Sequence, residues 1–442
     1  MFFTSSFIQV AHFIALAISV FILLGGIILT FKTRFVQFRM IPKMFKMLFK
    51  NFYKKKSDSG DSETIEANKA LFTAMSTSIG IGNIVSPIIA IKLGGPGALV
   101  GFMLAAIFGS ASTFTEVTFA LKYRKKNPDG TISGGPMQYI KKILSPFSAM
   151  TYAVGAFVML LIWTSTQSNT LADLLRPRGI PTYATGIFLA IAILYILVGG
   201  IKKIGDFSAK LVPTMFLLYC GATFWIIFHN LSKLPKVFNL IFSSAFTPQA
   251  IAGATVGYGV MVAFRFGLAS GFFANESGLG TATIPHSMSE TKKPINQGIL
   301  SMVAVYSNGL LCLLSGLVVL LTETWLDPAL QGEQGVNILA HSFSIYFPSI
   351  GIVILMISAF LFAFGTILGN SYNGSQCYLY ATKNKWLKYY YALIAVAIFL
   401  GSISDVTFLN KINVYFYIPI AIPNIIGIVI LAFKRSDLLK TD

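Results

Sequence analysis

The stretch STSIGIGN at residues 76–83 decides the fold, because it places glycines and hydroxyl side chains inside an apolar segment. Gly80 follows Lys69, at the end of that segment, by eleven residues. That is about 16 Å along an α-helix, or about half of a ~30 Å hydrocarbon core. Unpaired backbone groups are costly in lipid unless they line a protein cavity. The stretch therefore predicts a helix that is broken near the middle of a membrane.

The composition is typical of a membrane protein. Of the 442 residues, 55% are hydrophobic and 11% are charged, against roughly 25% charged in soluble domains, which excludes a soluble globular protein. We expect an all-α integral membrane protein with about 11 transmembrane helices, and we call the first of them the leading helix. The apolar runs of spanning length lie near residues 8–31, 68–91, 96–121, 149–173, 181–200, 207–229, 250–285, 295–322, 345–380, 388–404 and 412–433.

The lysines and arginines predict the orientation, because positive residues near the ends of spans are retained in the cytoplasm. With the N-terminus outside, 27 of the 34 lie on the cytoplasmic side, six lie outside and Arg265 lies within a run. We expect a multi-pass protein of the cell inner (plasma) membrane with a cytoplasmic C-terminus. The net charge of +18 then reflects topology and contact with anionic lipids, and no nucleic acid is needed. The same distribution favours one span over two for residues 250–289.

A second polar cluster, NESGLG at residues 275–280, lies in the sixth run after the leading helix. Without the leading helix, ten spans form two groups of five with opposite orientation, and each cluster lies in the first span of its group. This arrangement is typical of an inverted-repeat secondary transporter with its site at the broken helices, although close helix packing also explains single glycines. The expected segments are residues 1–67 (leading helix, basic amphipathic cytoplasmic helix at 35–53 and acidic linker at 57–66), 68–229 (first repeat), 230–434 (second repeat) and 435–442 (cytoplasmic tail).

Broken helices offer specific chemistry. A half-helix N-terminus attracts an anionic group, and freed carbonyls offer oxygens to a cation. Glu116, Arg265 and Glu276 are charged residues within apolar runs, and they predict either pathway residues or structural ion pairs. The uncharged polar residues at similar depth predict either pocket groups or hydrogen bonds between helices: Gln167, Asn169, Thr366, Asn370, Tyr372 and Asn373.

Seven stretches resemble the alanine/glycine:cation symporters. They are GIGN (80–83), LGGPGA (93–98), KYR (122–124), DGTISGGPM (129–137), QSN (167–169), FANESGLG (273–280) and FAFGTILG (362–369). The resemblance covers about residues 69–380. It implies a leucine-transporter-like fold with a five-plus-five inverted repeat and one extra N-terminal helix. It also implies import of small neutral amino acids, alanine or glycine with serine as a further candidate, coupled to the entry of sodium or protons.

The resemblance also implies roles for individual residues. The substrate-binding positions are Gly80, Gly82, Asn83, Gln167, Asn275, Glu276, Thr366 and Asn370. The sodium positions are Ser78, Ile81, Gly365 and Thr366. Four residues depart from the family pattern: Ile81 in place of Thr, Ser270 in place of Arg, Gly365 in place of Ser and Asn370 in place of Trp. We expect these departures to affect the choice of substrate and ion more than the fold.

A passive channel and an intramembrane enzyme are the alternatives to a symporter. A channel needs a ring of like polar groups and usually an oligomer, whereas an enzyme needs clustered catalytic groups, and the four histidines are scattered. Cys220, Cys312 and Cys377 have no paired spacing, so neither a disulfide framework nor a zinc site is expected. The absence of a nucleotide-binding motif argues against coupling to ATP. We expect a monomer with no catalytic residues and no cofactor other than the coupling ion.

Overall fold

The computed structural model describes residues 2–52, 64–127, 131–246, 258–330 and 335–441, with all of their side chains except those of residues 2–9, 12, 51–52, 258–265 and 410. The start of the apolar run at residue 250, the side chain of Arg265 and most of the acidic linker at 57–66 lie outside the described residues. Nothing in the structure bears on what we expected of them.

The described chain is almost entirely helical. The helices are α1 Phe2–Lys32, α2 Val36–Arg39, α3 Ile41–Phe52, α4 Ala67–Ser78, α5 Ile81–Gly94, α6 Ala98–Tyr123, α7 Pro136–Ile143, α8 Pro146–Leu175, α9 Thr182–Leu197, α10 Gly200–Phe228, α11 Leu234–Phe246, α12 Tyr258–Asn275, α13 Thr283–His286, α14 Pro294–Leu321, α15 Gly335–Tyr346, α16 Gly351–Ala381, α17 Leu387–Ile403 and α18 Thr407–Lys434. A short antiparallel hairpin pairs β1 Lys125–Lys126 with β2 Ile132–Ser133.

Every one of the eleven apolar runs contains a helix. These helices differ in whether they are long enough to cross a membrane. In the described part of the chain, seven helices are long and apolar enough to cross a membrane, and α4 with α5 forms an eighth, bent candidate. The apolar helices α9 and α17 are shorter, at 16 and 17 residues. The structure therefore supports a multi-helix membrane protein, while the count of 11 spans stays a prediction.

The exterior of the described chain is apolar, unlike that of a soluble protein. Large apolar side chains are exposed on the outer helices, among them Ile191 on α9 and Leu217 on α10, at 65% and 70%. Conversely, Glu116, Asn370 and Asn424 are fully buried. An apolar exterior, with polar groups kept inside the protein among its apolar core, is the arrangement that a hydrocarbon solvent favours, because polar groups must find partners within the protein.

The inner helices enclose the centre of the molecule. Helix α6 packs against α12 and α14, and α16 packs against α4, α8 and α10. The two interrupted segments predicted from the sequence therefore lie among the inner helices. Of residues 35–53, expected to be helical, residues 35–52 are described and contain α2 and the amphipathic α3, on which Phe45 and Phe49 stack with their ring centroids 6.5 Å apart.

Candidate functional site

The predicted break at residues 76–83 is present between α4 and α5. Helix α4 ends at Ser78, α5 begins at Ile81, and the two axes differ by 43°. Gly80 is in the extended conformation, with φ −123° and ψ −175°. Its amide donates to Oδ1 of Asn83 at 3.0 Å, and its carbonyl accepts from the Asn83 amide at 3.0 Å. Asn83 thus holds the start of α5 in place.

Two neighbouring helices stabilise the backbone that the break exposes. Oγ1 of Thr366, on α16, donates to the carbonyl of Ile79 at 3.0 Å. From α8, Oε1 of Gln167 accepts from the amide of Ile81 at 3.4 Å. A Cβ atom at Gly80 would lie 2.7 Å from Oγ1 of Thr366 and 2.9 Å from Nε2 of Gln167. A side chain at position 80 would therefore displace both partners.

The second predicted break follows α12, which ends at Asn275. Glu276, Gly278 and Gly280 have left-handed φ values of 51°, 83° and 76°, and the chain becomes helical again only at Thr283. Side chains from four other helices bind the freed carbonyls: Asn308 at Ala274 (3.3 Å), Asn424 at Gly278 (2.9 Å), Tyr152 at Leu279 (2.6 Å) and Asn373 at Thr281 (3.3 Å). The irregular backbone is therefore satisfied within the protein, as a membrane interior requires.

The same segment is connected to a buried carboxylate. Asn424 donates to Oε1 of Glu116 at 2.6 Å and accepts a hydrogen bond from the hydroxyl of Tyr139. Glu116 therefore bonds to the group that holds the second break, and the side chains described around it offer no ion pair. The structure places Glu116 in this supporting network and outside the cavity that the breaks enclose.

The two breaks face a common cavity of about 420 Å³. Nine of the residues expected in the substrate and sodium sites line it: Ser78, Gly80, Ile81, Gly82, Asn83, Gln167, Glu276, Thr366 and Asn370. The other two expected residues are outside the lining. Asn275 is buried at the end of α12, and a Cβ atom at Gly365 would lie 3.1 Å from Leu211 and 3.8 Å from the carbonyl oxygen of Ser76.

Several lining residues were not expected from the sequence. Trp163, Thr166 and Thr170 lie on α8, and Asn413 and Tyr417 lie on α18. Trp163 and Thr170 lie four residues before and three residues after Gln167, on the same face of α8, so a helical projection from Gln167 could have identified these two. Tyr417 lies in an apolar run, and no pattern there distinguishes it from a lipid-facing aromatic residue.

The cavity has one aromatic wall and two exceptional polar groups. Phe273 stacks on Tyr417 with ring centroids 4.0 Å apart, and Trp163 lies 6.2 Å from Tyr417. Glu276 is 3% exposed and accepts a hydrogen bond from the hydroxyl of Thr281. Asn370 is fully buried, and neither atom of its amide has a partner among the residues that the structure describes. The lining thus offers a carboxylate and an unpaired amide to an occupant.

Two interrupted helices that meet at an enclosed polar cavity define a secondary transporter of the broken-helix class. The sequence profile of the sodium:alanine symporter family matches residues 1–441, and the chain belongs to this family. It is therefore a transporter and not an enzyme, which confirms the resemblance noted in the sequence. Nothing in these comparisons supports a channel.

Related proteins match over nearly the whole chain. The sodium/alanine symporter AgcS of Methanococcus maripaludis is 33% identical over 420 residues, which cover 93% of this chain and 91% of AgcS. The probable sodium/glutamine symporter GlnT of Bacillus subtilis is 30% identical over 426 residues, which cover 95% and 86%. From the same organism, the putative sodium/proton-dependent alanine carrier YrbD is 32% identical over 396 residues, which cover 86% and 79%.

Solved structures support the leucine-transporter-like fold. The crystal structure of MhsT in complex with L-phenylalanine has a TM-score of 0.60 at 14% identity and covers 83% of this chain and 89% of its own. A Na⁺-coupled sialic acid symporter in a substrate-bound outward-open state has a TM-score of 0.59 at 13% identity, with coverages of 95% and 98%. At these identities the likeness concerns the fold alone, and it confirms the fold class expected from the sequence.

Proposed function

We propose that the protein is a sodium-coupled symporter that imports small neutral amino acids, with alanine as the first candidate and glycine and serine as the next. The break between α4 and α5 carries this proposal, because it brings the N-terminus of α5 to the wall of a cavity of about 420 Å³. The first amides of a helix lack carbonyl partners within that helix and attract a negative group. Relatives named for alanine and glutamine carriage support an amino-acid substrate.

In this proposal the backbone binds what all amino acids share. The substrate carboxylate lies at the start of α5, against Gly80, Gly82 and Asn83, where it competes with the side-chain oxygens of Asn83 and Gln167 for the amides of Gly80 and Ile81. The ammonium group lies towards Glu276, the one charged side chain among the described residues of the lining. A zwitterion pairs with both the start of α5 and the Glu276 carboxylate, whereas a substrate that lacks either charge leaves one of these groups unpaired.

The substrate side chain lies towards Thr366 and Asn370 in the proposed arrangement. Trp163, Phe273 and Tyr417 close one wall of the cavity. Asn370 adds a donor and an acceptor that an alanine side chain cannot use. We therefore propose that substrates with a hydroxyl group, such as serine, are accepted at least as well as alanine. Gln167 supports the start of α5. Asn275 does not line the cavity, and its proposed part is to support the site from the end of α12.

For the coupling ion, the donors present fit sodium. A hard monovalent cation prefers oxygen ligands. The end of α4 supplies backbone carbonyls, and the Ser78 and Thr366 hydroxyls lie beside them. Ile81 contributes only through its backbone, and Gly365 contributes no oxygen from its side chain. Among the described residues, no group of three or more His, Cys, Asp or Glu could bind a metal. We propose weak sodium binding, with proton coupling as the alternative for the same carrier.

The proposed placement follows the positive charges. The protein lies in the cell inner (plasma) membrane with the N-terminus outside and the C-terminus in the cytoplasm, and it acts as a monomer in contact with membrane lipids. Residues 68–229 and 230–434 are the two repeats. The bent pair α4 and α5 begins the first repeat, and α12 with the irregular segment after it carries the break of the second.

Uptake by the purified protein in liposomes tests the proposal. An inward sodium gradient should drive accumulation of labelled alanine above its external concentration, and an inward proton gradient with choline in place of sodium tests the alternative ion. Labelled alanine should also exchange against unlabelled alanine inside the liposomes, as a carrier requires. If a panel of all common amino acids shows neither gradient-driven uptake nor exchange, the proposed function is wrong.

A further inference from the structure

A second polar cavity lies at the end of α1 and shares no lining residue with the substrate site. It has a volume of about 390 Å³, and we call it the basic pocket. Its lining comes from two parts of the chain, the turn after α1 and the tail after α18. The lining residues are Phe31, Lys32, Thr33, Arg34, Arg39, Ser436, Leu439, Lys440 and Thr441.

Specific hydrogen bonds hold the basic pocket together. Nε of Arg39 donates to the carbonyl of Arg34 at 2.8 Å, and Nη2 donates to the carbonyl of Thr33 at 3.3 Å. Nη2 also donates to Oγ1 of Thr441 at 3.0 Å, which joins the tail to the turn after α1. Thr441 and Leu439 are buried. The tail is therefore docked on the turn after α1, and the Arg39 guanidinium has a fixed orientation.

The basic pocket concentrates positive charge. Among the residues that the structure describes, its lining contains Lys32, Arg34, Arg39 and Lys440 and no acidic residue. Asp437 lies on the same tail, but Arg435 binds both of its oxygens, at 3.0 and 2.8 Å. Four cations around a cavity raise the local concentration of anions. Guanidinium groups in particular match the oxygens of a phosphate group.

The surroundings of the basic pocket are those of a membrane boundary. Phe31 at the end of α1 and Phe433 at the end of α18 are 65% and 59% exposed. Nζ of Lys32 lies 4.4 Å from the centre of the Phe433 ring. Exposed phenylalanines at the ends of two long apolar helices, directly beside cations, mark the boundary between the hydrocarbon core and the head groups. The pocket thus offers cations and the rim offers apolar surface.

We propose that the basic pocket binds a phosphate group, and that an anionic phospholipid supplies it. The phosphate lies among the side chains of Arg34, Arg39 and Lys440, and the acyl chains lie along Phe31 and Phe433. Pockets of basic residues at the cytoplasmic end of membrane helices suit such head groups. The bound lipid connects α1 to the tail after α18, so it stabilises the docked tail. The site is separate from substrate transport and is independent of which amino acid the protein carries.

Thermal unfolding of the full chain in detergent tests the proposal. The additions are phosphatidylglycerol, phosphatidylcholine and inorganic phosphate, each titrated separately. A ligand of the folded state raises the melting temperature with its concentration. We expect phosphatidylglycerol to stabilise the wild type, phosphatidylcholine to have little effect, and added salt to weaken the stabilisation. The double variant Arg34→Gln, Lys440→Gln removes two cations and leaves Arg39 in place, so its apparent affinity should fall roughly thirty-fold.

The matched control removes two cations from the same basic region outside the pocket, with Lys43→Gln and Lys46→Gln on α3. The conservative double variant Arg34→Lys, Lys440→Arg keeps the charge and should keep the binding. If inorganic phosphate stabilises the wild type but not the glutamine double variant, the phosphate site is supported and its ligand is a free anion. The proposal is overturned if phosphatidylglycerol and phosphate have no effect, or if either stabilises the pocket double variant and the control double variant equally.

Discussion

The substitution Gly80→Ala tests whether the first break is a preformed binding site. A Cβ atom at this position would approach Oγ1 of Thr366 to 2.7 Å and Nε2 of Gln167 to 2.9 Å. Moving these side chains would disturb the hydrogen bonds from Thr366 to Ile79 and from Ile81 to Gln167. At about 0.5–1.5 kcal/mol for each bond, the cost is about 1–3 kcal/mol, or about 5- to 150-fold in substrate affinity.

The loss should be the same for alanine, glycine and serine, because position 80 lies at the main-chain end of the proposed substrate arrangement. Equilibrium binding to the detergent-solubilised protein measures it, with thermal unfolding to show that the variant is folded. Gly221→Ala on α10 is the matched control, since a Cβ atom there meets no atom within 4 Å. Wild-type affinity in Gly80→Ala, or an equal loss in Gly221→Ala, would refute the assignment of the break as a binding site.

Three further substitutions separate side-chain selectivity, ion binding and charge recognition. Asn370→Leu should lower the ratio of serine to alanine affinity by fivefold or more, because it removes an unpaired buried amide worth about 1 kcal/mol or more; an unchanged ratio in competition binding would contradict this. Gly365→Ser should lower the sodium concentration for half-maximal uptake by placing a hydroxyl near the carbonyl of Ser76, and no change would exclude position 365 from the ion site. Glu276→Gln keeps a partner for Thr281 but removes the charge, so alanine binding should fall at least tenfold; retained binding would rule out the proposed contact with the ammonium group.

Both breaks could be predicted from the sequence because their residues are incompatible with an ordinary lipid-facing helix. The cluster at residues 76–83 and the cluster at residues 275–280 combine glycines with polar side chains inside apolar runs. These clusters interrupt the apolar pattern of a continuous membrane helix. The structure has extended backbone at the first cluster and left-handed backbone at the second. Nine of the eleven expected site residues line one cavity for the same reason, since most of them lie on or beside these segments.

The supporting contacts could not be predicted, because they join distant parts of the chain. Tyr152 and Asn424 bind neighbouring carbonyls of the second break although 272 positions separate them, and each lies in an apolar run without any local pattern. The short helices α7, α11 and α15 were also not expected as separate helices, because they are too brief to show a hydropathy signal. Packing decides such elements, and packing is a property of the assembled chain.

The extended backbone at Gly80 means that the site recognises its substrate through two kinds of group, main-chain amides and side chains, which differ in how easily a mutation changes them. Any substitution except proline leaves a main-chain amide in place, so recognition through these amides changes less readily than recognition through side chains. Residues such as Asn370 and Ser270 face the same cavity with side chains that a single mutation can replace. We therefore expect homologues with this fold to differ readily in the substrate side chain that they accept, while all of them continue to require an α-amino acid. Relatives named for alanine and for glutamine agree with this expectation.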